Sequence, residues 1–176
     1  LHALSALDGL SALTAADVVQ RLADKDAGVR KNALRLAEPR MNDWAALAEP
    51  VLALRDDADP MVHIQLIYAL GSWNDARAAE LLAQYIPRDI TDEYLSMALL
   101  SSINVYNETG LLPALLAWSA NADAAAKGRD QVVSMAVGLA MASKNEQAIR
   151  QLASLIAQPR DSGYAPDQYR WLAQFL

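Results

Sequence analysis

Asp24-Lys25-Asp26-Ala27-Gly28-Val29-Arg30 returns as Asp57-Ala58-Asp59-Pro60-Met61-Val62-His63, an offset of 33 residues. Each copy follows one apolar stretch at helical spacing and precedes another. Further along, Asp92-Glu93-Tyr94-Leu95-Ser96-Met97-Ala98 matches Asp130-Gln131-Val132-Val133-Ser134-Met135-Ala136 at an offset of 38, and Asp167-Gln168-Tyr169 begins 37 residues after that. Self-similarity at such a period marks an array of small supersecondary units, each unable to bury its apolar face alone. The period drifts from 33 to 38 and leaves room for two helices per unit.

Composition agrees. Ala and Leu fill 35 and 27 of the 176 positions, against 7 Gly, 7 Pro and 6% aromatic residues. Ala and Leu head the helix scale, whereas β-branched and aromatic residues favour strands. The spacing predicts helices over 1–12, 15–23, 28–38, 43–55, 61–73, 75–86, 91–104, 108–120, 128–142, 145–158 and 167–176. Asp26, Asp59, Asn74, Asn107 and Asn145 stand where N-caps belong. Pro39, Pro87 and Pro159 stand where helices should stop. No stretch alternates apolar and polar residues with period two, so no sheet is expected.

The 100° step of a helix assigns the faces. With Val29 at the origin, Ala33, Leu36 and Ala37 lie within about 80° of it and Leu34 at about 140°. Lys31, Asn32 and Arg35 take the far side. In the next copy Val62, Leu66, Ala69 and Leu70 turn inward and Ile64, Gln65 and Tyr68 outward. The helices at 94–103 and 132–142 are apolar nearly all round, which predicts burial on more than one side.

These residues resemble the HEAT repeat. Its pattern is an apolar first helix carrying Pro, a short Asp-x-Asp-Pro turn, then Val-Arg opening a second helix rich in Ala and Leu. Leu47-Ala48-Glu49-Pro50-Val51-Leu52-Ala53-Leu54, followed by Asp57 to Val62, matches without gaps through Leu70-Gly71. Asp24 to Ala37 matches the turn and second helix, and Leu111-Leu112-Pro113-Ala114-Leu115-Leu116 repeats the Pro-bearing first helix. His63 stands where the pattern has Arg, and the turns near 89–92 and 121–129 are irregular. The resemblance covers 15–73 well and the remainder loosely. It implies an all-α, right-handed α–α superhelix (HEAT/ARM-like) of about five helix pairs over residues 1–176. It also implies a ladder in which the Arg after Val reaches an Asp of the neighbouring repeat. Leu1–Met41 further resembles the helical middle segment of bacterial multidomain haem-binding proteins, which carry a dehydrogenase-like propeller and a c-type cytochrome. Their haem attachment needs Cys-x-x-Cys-His. This chain has no Cys, so such redox chemistry would lie outside it. The chain starts without Met on Leu1, Leu4, Leu7 and Leu10 at helical spacing and ends on Trp171, Leu172, Phe175 and Leu176. Repeat arrays normally end in polar caps, so a piece of a longer protein is expected.

Catalytic signatures are scarce. Without Cys there is no disulfide, thiolate nucleophile or Cys-ligated metal, and either redox compartment is tolerated. His2 and His63 lie 61 positions apart, and no helix carries a His pair at i, i+4. Asp56, Asp57 and Asp59 crowd one turn without EF-hand spacing, and Asp89, Asp92 and Glu93 another; capping and solvation explain both. Trp44, Trp73, Trp118 and Trp171 are spread about one per repeat, as packing residues would be. Gly-x-Ser-x-Gly, a phosphate loop and Gly-x-Gly-x-x-Gly are all missing from the sequence. Asn107-Glu108-Thr109 matches a glycosylation sequon, but Asn107 reads better as a cap.

Charge narrows the partners. The formal net charge is −6, with 15 basic and 21 acidic residues, and 61–124 carry 2 basic against 7 acidic. Nucleic acid binding needs a stripe of Lys and Arg, which argues against a HEAT-like DNA glycosylase. No apolar run reaches the ~20 residues that span a bilayer. The expectation is a scaffold or docking domain with no catalytic, cofactor or metal residues of its own. Its partner is a protein or a neighbouring domain, met on a wall of Lys31, Arg35, Ile64, Gln65 and Tyr68. The competing expectation is a helical module of a haem-linked dehydrogenase-like protein.

Overall fold

A computed structural model describes residues 2–89, 92–104, 107, 110–111, 123–159 and 163–176. The elements, in order, are α1 (His2–Gly9), α2 (Ala15–Leu22), α3 (Ala27–Ala37), α4 (Ala48–Leu52), α5 (Pro60–Gly71), α6 (Ala76–Asp89), α7 (Glu93–Ser102), α8 (Asp123–Ser143), α9 (Glu146–Ile156) and α10 (Pro166–Leu172). Short 3-10 turns cover Glu38–Arg40, Ala45–Leu47, Ala53–Asp56 and Ala173–Phe175. Among the described residues the chain is all-helical, with no β-strand. The helix expected over 108–120 lies outside the described residues except for Gly110 and Leu111, which are helical.

Capping decides where the helices start. The Asp26 carboxylate accepts the Val29 N–H at 3.1 Å, and Asp59 accepts Met61 and Val62 N–H at 2.8 and 3.3 Å. Asp92 accepts Tyr94 and Leu95 N–H, both at 2.9 Å. Asp26, Asp59 and Asp92 are thus spaced by 33 and 33, so the capping Asp keeps the first interval at a third helix start. Each cap satisfies donors that no helical carbonyl can reach, a contribution of about 1 kcal/mol. Asn145 caps α9 through Ala148 N–H at 3.1 Å.

Two expected caps come out differently. At α6 the cap is Asp75, not Asn74: its carboxylate takes the Arg77 N–H at 2.9 Å and its carbonyl the Ala78 N–H at 3.0 Å. The Asn74 N–H instead donates to Asn42 Oδ1 at 2.8 Å, while Asn42 Nδ2 donates to the Ser72 carbonyl at 2.9 Å. One amide therefore staples two turns about 30 residues apart. Asn107 has the backbone role of a cap, accepting Gly110 and Leu111 N–H at its carbonyl. Its side chain turns backward, taking Asn104 N–H and donating to the Ser102 carbonyl. Asn107 is buried, so its amide is committed to the fold rather than open to glycosylation.

Prolines act by position. Pro50 falls inside the helix expected over 43–55 and removes a backbone donor there. That stretch forms 3-10 turn, α4 and 3-10 turn in succession. Pro87 does not end α6, which continues to Asp89. Pro39 follows α3 in a 3-10 turn and Pro159 follows α9. Ser11 (φ 55°) and Lys144 (φ 54°) end α1 and α8 in left-handed conformation. There the next N–H reaches back five residues, Ala12 to Leu7 and Asn145 to Ala140, a Schellman closure that offsets the strain.

The chain divides into two compact units, Leu1–Leu81 and Leu82–Leu176. In the first, α3 lies between α2 and α5, and α2 also meets α4 and the Ala45–Leu47 turn. Its core is Val18, Leu22, Leu34, Leu36, Leu47, Val51, Leu66, Ile67 and Leu70, all nearly inaccessible to solvent. In the second, α8 packs against α7, α9 and α10, and α9 meets α10. Val133, Ala136, Val137 and Ala140 of α8 are buried with Leu152, Ile156 and Trp171. Gln168 is buried and fully used: Nε2 donates to the carbonyls of Ile156 and Gln158 at 2.8 Å each, and Oε1 accepts Ala165 N–H at 3.0 Å. Trp171 Nε1 donates to Asp130 at 2.8 Å, and Arg170 pairs with the same carboxylate at 3.1 Å.

Candidate docking surface

Two polar contacts fix the register of α3 against α5. The Arg30 fork grips Asp57: Nε donates to Oδ2 at 2.6 Å and Nη2 to Oδ1 at 2.8 Å. Arg30 Nη1 also donates to the carbonyls of Asp24 and Lys25 at 2.9 and 3.1 Å. Asp57 Oδ1 accepts the Asp59 N–H at 2.9 Å as well. The side chains are 16% and 5% exposed, so water does little to screen the pair. The Arg30 hydrogen bonds hold the Asp57 carboxyl below its ordinary value, against the opposing effect of burial, and His63 adds a smaller pull. Asp57 in turn raises Arg30. The second contact runs from Gln65 Nε2 to Glu38 Oε2 at 2.7 Å.

That second contact corrects one expected wall residue. Gln65 faces the interior, 9% exposed, not the outer surface. It follows Val62 by three residues, which brings it back to about 60° from Val62 around the helix. Asn32 holds the same position on α3 and is half-buried, with Nδ2 shut off from solvent and unpartnered. Leu34 and Ile67, at about 140°, are also fully buried, because each helix is covered on two sides.

The other expected residues stand near or at the surface. Arg35 is exposed, Lys31 and Ile64 are half-buried, and Tyr68 is 37% exposed. Met61, on the same face of α5 and 47% exposed, extends the row and was not singled out from sequence. Spacings of i, i+3 and i+7 place Met61, Ile64 and Tyr68 along about 10 Å of helix. On α7 the corresponding positions, 33 residues on, are Tyr94, Met97 and Ser101, all exposed, with Tyr94 at 71% and Met97 at 61%. The apolar all-round pattern there predicted burial; α7 instead buries Leu95, Ala98, Leu99 and Ser102 on one side.

Arg35 differs from the other arginines of residues 1–81. Arg21 reaches Asp24, Arg40 reaches Asp8, Arg55 reaches Asp56, and Arg77 reaches both Asp75 and Glu49. Arg35 donates only to the neutral amide of Asn32, at 3.1 and 3.3 Å. Lys31, one turn earlier, has no ion pair among the described residues.

Other side chains weighed for chemistry have structural work. Asp56 pairs with Arg55, Asp57 with Arg30, and Asp59 caps α5, so the three acids of that turn do not converge. Asp92 caps α7, and the side chains of Asp89 and Glu93 lie outside the described residues. Among the described residues no group of His, Asp and Glu could hold a metal ion. No helix of these residues is long and apolar enough to cross a membrane. His2 is exposed on α1 and His63 half-buried on α5. Arg40 stacks over Trp44 and Arg77 over Trp73, each 5.1 Å from the ring centroid, which gives two of the four Trp packing roles. Trp171 is a third, and Trp118 lies outside the described residues. No family model matches the chain, and no curated protein and no solved structure shows significant similarity to it.

Proposed function

We propose that this chain is a HEAT-like α–α superhelical scaffold that docks a partner protein, or a neighbouring domain of a longer chain, on the outer face of α3 and α5. The reading is carried by one observation: two packed helices present Met61, Ile64 and Tyr68 on one and Lys31 and Arg35 on the other. Exposed apolar side chains in a row on one helix, with cations on the helix packed against it, are what a protein surface spends on recognition. The Asp caps at 33-residue intervals support the repeat arrangement because they recur at the first interval of the sequence repeat, and the Arg30–Asp57 pair is the kind of link between successive units that the HEAT-like resemblance implies.

Docking is tested by changing Ile64 and Tyr68 together to Ser. Helix content stays as it was, and affinity for a genuine partner falls at least about tenfold. Unchanged assembly and unchanged affinity for every candidate partner would remove the face from consideration. The repeat arrangement is tested by deleting residues 24–56, one full period, so that Asp57 follows Ala23. A stacked array shortened by one unit still folds cooperatively with a lower m-value. Loss of all cooperative unfolding would count against stacking.

A further inference from the structure

We infer that the partner segment seated on the α3–α5 face is an acidic peptide with apolar side chains at helical spacing. The inference rests on the docking reading above and adds the chemistry of the occupant. Met61, Ile64 and Tyr68 form the apolar floor. Their i, i+3, i+7 spacing suits a helical segment laid alongside, whose own apolar positions repeat at the same interval.

Charge selects the sign of the partner. Lys31 and Arg35 stand one turn apart on α3, at the helical phase that Ile64 and Tyr68 hold on α5, the helix packed against it. In a chain of net charge −6, every other arginine of residues 1–81 is already matched by a carboxylate. Arg35 meets only a neutral amide, and Lys31 pairs with none of the described acids. The acid that directly follows α3, Glu38, is half-buried and bonded to Gln65. Positive charge left unmatched at the edge of an apolar patch favours carboxylates from outside and repels lysine-rich segments. Two cations are too few to neutralise a run of phosphates, so nucleic acid does not fit.

The test uses an array of synthetic 12-residue peptides randomised over Leu, Phe, Glu, Lys and Ser, probed with the labelled 176-residue chain. The peptides retained should combine Leu or Phe with Glu, and their binding should weaken with added salt. The variant K31E/R35E should lose at least about tenfold in affinity for them and turn towards Lys-bearing peptides, since each exposed pair contributes modestly and reversal counts twice. The variant M61S/Y68S, altered at exposed positions, should lose the signal for both charge types. Retention that is equal for Glu and Lys peptides, or unmoved by K31E/R35E, overturns the acidic partner while M61S/Y68S sensitivity leaves docking standing. Retention of no peptide class overturns both. Sedimentation of the chain alone covers the remaining occupant: self-association abolished by M61S/Y68S would put a second copy on this face and overturn the inference.

Discussion

Arg30→Ala is expected to lower the unfolding free energy by about 3 kcal/mol, read from the denaturation midpoint with the m-value unchanged. The change strands the Asp57 carboxylate, 5% exposed, with the Asp59 N–H bond and the smaller pull of His63, and leaves the Asp24 and Lys25 carbonyls without their donor. Removing one member of a nearly buried pair is costly because the other cannot regain its water. Arg30→Lys restores the charge but not the two-pronged geometry, and recovers about half of the loss. The same pair sets an acid dependence. The Asp57 carboxyl is depressed in the folded chain below its ordinary 3.8. Protons therefore bind the unfolded chain first, so the stabilisation is fully present above the ordinary value. It is lost as pH falls through the lower folded value. Wild-type stability should drop more steeply below about pH 4 than that of Arg30→Ala. Identical acid limbs, or a loss under about 0.5 kcal/mol, would mean that the ladder does not hold α3 to α5.

Trp171→Ala should destabilise the unit of residues 82–176 by about 4 kcal/mol, followed by circular dichroism at 222 nm. Trp171 is fully buried on α10, and its indole N–H is spent on Asp130 of α8. Truncation opens a large cavity and frees one oxygen of a carboxylate whose other oxygen Arg170 still holds. Trp171→Phe keeps most of the apolar contact and removes the donor alone, so about 1–2 kcal/mol should go. Equal losses in the two variants would assign the effect to the hydrogen bond, and no loss in either would mean that α10 is not docked through this residue.

Much of the helical frame was legible in the residues. Asp26 and Asp59 precede apolar runs and do cap, because a carboxylate two or three residues ahead of free N–H groups has a local partner wherever the helix packs. Asp92 is legible in the same way, as an acid at a helix start, and it caps Tyr94 and Leu95 N–H. Asn74 and Asp75 compete for one cap, and no local rule separates them. The contact that occupies Asn74 comes from Asn42, some 30 residues away. Gln65, expected outside with Ile64 and Tyr68, lies only about 60° from Val62 on α5 and is buried, because an intermediate angle leaves the choice to the neighbouring helix.

The candidate face divides in the same way. Lys31, Arg35, Ile64 and Tyr68 could be named from helical phase, a local and additive property of the chain. That Arg30 clasps Asp57 followed from a family pattern and needed α3 and α5 to meet at the right height. That Arg35 lacks an acid could not be read from the sequence at all, since chain order does not say which carboxylates are already taken. Helix positions, inward stripes and the caps at Asp26, Asp59 and Asp92 are thus set by neighbours within four residues, where hydrogen bonds and propensity act. Burial of Gln65, the exposure of Tyr94 and Met97, and the unmatched charge of Lys31 and Arg35 depend on which helices touch. Packing and desolvation are properties of pairs of segments, so only the folded arrangement decides them.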